Sequence, residues 1–155
     1  IRERLSSGDV GDDELDDAGA PVALPRVDPM TPPDRELEFT GQELVERSGV
    51  SVDDLSAMER FGLIAPQTRR GRPVYSGDDL IAARLVARFL AHGIGPRHLR
   101  AFKTAADREA GLIAQRLSGV ATPTDRSDAL RELLRLGEDL RSLLLRQIVH
   151  ERDDV

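Results

Sequence analysis

Ten apolar side chains stand between positions 130 and 149 of this 155-residue chain: Leu130, Leu133, Leu134, Leu136, Leu140, Leu143, Leu144, Leu145, Ile148 and Val149. Their spacing is that of a helix, and they cover well over a third of the circumference of one long helix ending near His150. A solitary helix does not leave that much apolar surface in water. It must pack on the preceding helix and on a second body, most simply another copy of the chain. The arm from 98 to 150 is therefore expected to be a helical hairpin that dimerises, with Leu133, Leu136, Leu140, Leu143, Leu144 and Ile148 at the interface.

Composition agrees with a helical core. Apolar residues make up 39% of the chain and aromatics only 3%, so the core is built from Leu, Val, Ile and Ala. The chain has no cysteine, which excludes disulfides, thiolate metal sites and cysteine nucleophiles. No apolar run approaches the length of a membrane span and no signal-peptide pattern opens the chain, so a cytoplasmic protein with no membrane contact is expected. The first residue is Ile rather than Met, which reads as a piece of a longer protein.

Charge is unevenly distributed. The whole chain carries −6, but residues 1–38 alone carry −7 and residues 39–155 carry +1. The acidic part, "GDVGDDELDDAGAPVALPRVDPMTPPD", also holds five of the nine prolines and few large apolar residues. It cannot bury enough surface to offset the entropy of ordering, so residues 6–38 are expected to be a flexible linker. Residues 151–155 are expected to be a disordered tail.

Order is expected from "EFTGQELVERSGVSVDDLSAMERFGLI" onward. Thr40 and Glu43 have capping-box spacing, Phe39 is placed to staple onto Leu44, and Ser48-Gly49 ends this first helix. Ser51 caps a second helix over 52–61, with Asp53 and Asp54 in its first turn. Pro66 stops the apolar run; "TRRGR" makes a basic turn about Gly71, and "PVYS" returns as a short strand. Two helices, a strand, a basic turn and a strand make a winged helix-turn-helix over 39–97. Ser76 then caps a helix over 79–92, Gly93 stops it, and Gly95-Pro96 starts another with Leu99, Phe102, Ala106, Ile113 and Leu117 on one face. "SGVATPTDRSD" separates that helix from the leucine-rich one.

This order resembles the MerR family of bacterial transcription regulators. The matching pieces are Thr40 to Leu44, "SGVSVDDL", "ERFGLIAP", "VYSGDDL" and "FLAHGIGPRHLRAF", and the match spans roughly positions 39–102. Within the family, "GIGPRHLRAFKTAADREAGLIAQ" is most similar to the actinobacterial cell-division regulator (FtsR) type. The resemblance implies a C-terminal regulatory and dimerisation part, preceded by a DNA-binding domain whose last helix ends at "IRERL" (residues 1–5). It implies a parent protein that binds promoter DNA as a homodimer through that N-terminal domain, with a cell-division gene as a target.

Whether the winged helix in this chain reads DNA itself is left open by its residues. Asp53, Asp54 and Ser56 stand where a recognition helix meets a phosphate-lined groove, and two carboxylates there are repulsive. Ser56-Ala57-Met58 replaces the Arg and aromatic pair usual in the family. Arg69, Arg70 and Arg72 argue the other way, since they are spaced to touch phosphates, and the resemblance adds Tyr75 as a backbone contact. An acidic protein partner or simple solvation is the alternative for the arginines, with Tyr75 then packing on the winged-helix core.

Enzyme function is not expected. His92, His98 and His150 lack ligand spacing, so no metal site is foreseen, and no phosphate loop, nucleophile elbow or paired-carboxylate motif is present. No cofactor is called for. A protein or small-molecule effector remains open, with Phe102 and Glu109 as the candidate pocket residues; Glu109 otherwise pairs locally with Arg108 or Arg116.

Overall fold

The computed structural model describes residues 23–153. The expectations for residues 1–5, for the first part of the leader and for the last two residues of the tail lie outside them. Among the described residues there are five helices and one two-stranded antiparallel sheet.

Helix α1 (Gly41–Ser48) starts as the sequence implies. The Thr40 side chain accepts from the Glu43 backbone, the Glu43 side chain accepts from the Thr40 backbone, and Gly49 ends the helix at φ 81°. The Thr40 hydrogen bonds hold the exposed Glu43 carboxyl below its ordinary pKa. Helix α2 (Val52–Arg60) begins with the Ser51 hydroxyl accepting from the Asp54 backbone and stops one residue before the expected Phe61.

Strands β1 (Gln67–Arg69) and β2 (Arg72–Val74) pair in register, Gln67 with Val74 and Arg69 with Arg72. The two-residue turn between them places Arg70 at φ 49° and Gly71 at φ 77°. Two left-handed residues in succession match the twist of a two-stranded ribbon, which is why a glycine stands at the second.

Helix α3 (Gly77–Ala91) starts two residues earlier than expected, directly after its capping residue Ser76. Helix α4 (Pro96–Leu117) has its proline in the first turn, where no N–H is missed. Helix α5 (Pro123–Asp153) also begins early, because Thr122 caps it by accepting from the Asp125 backbone at 3.2 Å. The break after α4 is thus only residues 118–122. Residues 151–153, expected in a disordered tail, are helical.

The core collects Phe39, Leu44, Val50, Leu55, Met58, Ile64, Tyr75, Leu80, Ala83, Val86 and Leu99. Every element from α1 to α4 contributes to it or frames it. Leu99 is the contribution of α4, so one unbroken helix crosses the expected boundary at 97/98 and joins the body rigidly to the hairpin formed by α4 and α5. Leu117, buried at the far end of α4, closes the turn of that hairpin.

Leu44 is fully buried, whereas Val52 is 67% exposed. Leu44→Ala is expected to lower unfolding free energy by about 3 kcal/mol. Val52→Ala is expected to stay within about 0.5 kcal/mol. Urea denaturation followed by circular dichroism checks both.

Candidate functional site

Two regions carry the candidate residues: the ribbon with the outer face of α2, and the α4/α5 hairpin. On the ribbon, Arg69, Arg70 and Arg72 are all exposed. Arg69 is engaged, its Nε lying 3.1 Å from Glu38 Oε1 of the leader. Among the described residues Arg70 and Arg72 make no ion pair. Helix α2 turns Leu55 and Met58 inward and leaves Val52, Asp53, Ser56 and Arg60 exposed. The Ser56 hydroxyl is turned back onto its own helix, donating to the Val52 carbonyl at 3.1 Å. Asp54 accepts from the Ser51 hydroxyl at 2.7 Å, which leaves Asp53 as the carboxylate facing outward.

Tyr75 is not on the ribbon surface. It is 4% exposed, in the core, and pairs its backbone with Phe39 in both directions, at 2.8 and 2.9 Å. Its hydroxyl donates to Glu59 Oε1 at 2.5 Å. Burial, then the hydrogen bond and charge of Glu59, then the charge of Asp79 push the phenol up to about 12. Of the two readings of Tyr75, the structure places its ring in core packing and its hydroxyl on α2.

The hairpin joins α4 to α5 through a pair that spacing along one helix does not foresee. Glu109 Oε2 accepts from Arg141 across the two helices at 2.5 Å, instead of pairing with Arg108 or Arg116 on its own helix. Gly137 makes room for it, since a Cβ at that position would sit 2.5 Å from Glu109 Oε1. A glycine within an otherwise leucine-rich helix was the available signal of close approach. Phe102 goes elsewhere. It is 63% exposed and its ring leans on Phe89 with centroids 5.7 Å apart, while Glu109 lines the groove between α4 and α5.

Beside the Glu109–Arg141 pair lies an open apolar groove of about 660 Å³ floored by Leu112, Ile113, Leu133, Leu136, Leu140 and Leu144, with Arg108 and Arg116 on its rim. Leu133 is half-buried against α4. Leu136, Leu140, Leu143, Leu144 and Ile148 are each between 40% and 57% exposed. Every residue from 141 to 152 is exposed, so the second half of α5 touches little of the described chain.

Comparison with known proteins decides the family. Residues 37–153 match the Rv1828-like C-terminal domain model, from just before Phe39 through the end of α5. The chain belongs to that family. The Rv1828-like domain thus takes in both the ribbon-bearing body and the hairpin, and begins near the end of the acidic leader. Two curated mycobacterial relatives, Rv1828 of Mycobacterium tuberculosis and Mb1859 of Mycobacterium bovis, are each 33% identical over 160 residues. Both are described as HTH-type transcriptional regulators. The alignment covers 90% of this chain and 63% of each relative, so the chain spans less than two thirds of their length.

The chain has a single tyrosine and no tryptophan, which makes the state of Tyr75 directly measurable. Its absorbance is expected to titrate near 12 instead of the ordinary 10.0, with Glu59→Gln lowering the midpoint. Because the folded value is the higher one, stability holds below about pH 10 and declines as pH rises through about 12. A midpoint near 10 in the folded protein contradicts the buried, hydrogen-bonded phenol.

Proposed function

We propose that this Rv1828-like domain is the C-terminal regulatory and dimerisation part of a MerR-type transcription regulator. In this reading α1 and α2 are a helix-turn-helix, the β1/β2 ribbon is its wing, and the α4/α5 hairpin is the arm through which two chains associate. The parent protein acts in the cytoplasm without enzymatic chemistry, binding promoter DNA as a homodimer through a reader that precedes the leader. The FtsR-type resemblance extends this to a cell-division gene as target, and the regulatory names of the mycobacterial relatives support the general class.

The single observation that carries the dimer is the uncovered leucine face of α5. Leu136, Leu140, Leu143, Leu144, Leu145, Ile148 and Val149 all stand between 40% and 57% exposed on one helix. Leu112 on α4 is 70% exposed beside them. A contiguous apolar surface of this kind is ordinarily an interaction site. The groove along it is long, open and helix-lined, which suits a helix of a second copy presenting the same leucines.

A second reading, an autonomous DNA-binding winged helix, is favoured by Arg70 and Arg72 at the tip of the ribbon, which are exposed and make no ion pair among the described residues. Against it stands the outward-facing Asp53 on α2. Replacing Arg69, Arg70 and Arg72 by Ala abolishes salt-sensitive DNA binding if that reading holds, and leaves it unchanged if the wing plays no part.

For the dimer, Leu140→Asp combined with Leu144→Asp places two carboxylates in the groove and is expected to yield monomers of 17.0 kDa by light scattering, with helical content retained. A double variant that remains dimeric removes this face from the interface.

A further inference from the structure

The described end of the acidic leader does not behave as a free tether. Pro29 and the largely exposed Val27 line one open cleft together with Ala106, Ala110, Ile113 and Leu134 of the hairpin. Farther along, the Asp34 backbone N–H donates to Asp78 Oδ1 at 3.1 Å, while Asp34 Oδ1 accepts from the backbones of Glu36 and Leu37 at 3.2 and 3.4 Å. The same carboxylate lies over Gly77, the first residue of α3, where an added Cβ would come within 2.5 Å of its oxygen. Phe39 then locks the leader to Tyr75 by two backbone hydrogen bonds, and the Arg47 guanidinium covers the Phe39 ring at 5.3 Å from its centroid.

Glu38 stands between these anchors, one residue before the Phe39–Tyr75 bridge, and its carboxylate meets Arg69 on the ribbon. An exposed ion pair between two untethered side chains contributes little. Here the anchors on both sides hold the carboxylate beside the guanidinium, so its effective concentration exceeds that of an anion arriving from solution. Asp34 ties the segment to the first turn of α3 through its backbone N–H on Asp78. Between these anchors, the Glu38 carboxylate occupies a wing arginine, the kind of group that grips phosphates of a nucleic-acid backbone.

We infer that residues 34–38 are an internal competitor for nucleic-acid phosphate: the leader holds Arg69 through Glu38 and restrains the wing of its own chain from binding nucleic acid. Among the described residues Arg70 and Arg72 are left without an ion pair. This goes beyond the dimerisation reading and holds or fails independently of it, because neither Glu38 nor Arg69 lies on the hairpin.

The test uses the 155-residue chain, a short fluorescein-labelled duplex of random sequence, and anisotropy over a salt series. Wild type, Glu38→Gln, Arg69→Gln and the double variant are compared; both side chains are about half exposed, and circular dichroism checks that each protein folds. With two free wing arginines, wild type is expected to show a log-log salt slope of about −1.8 per chain, and Glu38→Gln about −2.7. The affinity of Glu38→Gln is expected to rise about threefold, the scale of one exposed ion pair. In the Arg69→Gln background, Glu38→Gln is expected to change neither quantity. The inference is overturned if Glu38→Gln matches wild type, if the gain is equally large without Arg69, or if no variant binds the duplex at the lowest salt. Light scattering on the same samples reports the dimer separately.

Discussion

A helix of 31 residues whose leucines find too little of the described chain to cover them sets the terms for the rest of this molecule. As far as Arg141, α5 has a partner in α4, through Leu133 and the Glu109–Arg141 pair, with Gly137 letting the helices approach. The remainder stands apart. Because α4 also reaches into the core through Leu99, anything that covers α5 is mechanically joined to the body that carries the ribbon. Bringing two such arms together would therefore fix the separation and orientation of two bodies as well as their number, which is the geometric requirement on a protein that addresses paired half-sites.

The body depends on Tyr75 in the same way that the arm depends on α5. Its backbone ties the start of the fold at Phe39 to the end of β2, its ring packs beside Gly41 of α1, and its hydroxyl reaches Glu59 of α2. One side chain thus fixes the ribbon against both short helices. The result is a basic turn held in a defined place, beside a helix face that offers Asp53 and Val52. A surface of mixed sign is poorly matched to a uniformly negative groove. The leader adds to that mismatch by setting Glu38 against Arg69.

Much of this was legible from residue order because it is governed by local rules. Capping residues Thr40, Ser51 and Ser76, the glycines that end α1 and α3, the proline that opens α4 and the basic two-residue turn each act within a few positions, and the helices and ribbon follow them. For Tyr75 the sequence left a ribbon contact and core packing both open, since the choice depends on a partner sixteen residues away. Glu109 was read as pairing within its own helix and instead crosses to Arg141, a contact that depends on how α5 folds back. The last part of the leader was read as a flexible linker; its composition indeed gives no helix or strand, yet Asp34 and Glu38 find fixed partners through charge and helix-end geometry that composition does not encode.

The central claim is that the arm of this Rv1828-like domain is completed by a second copy. The most direct measurement is the molar mass of the unmodified chain by multi-angle light scattering or sedimentation equilibrium over a wide range of protein concentration. The account predicts twice the chain mass of 17.0 kDa, persisting on dilution into the low micromolar range. A mass of 17.0 kDa at every concentration would contradict it.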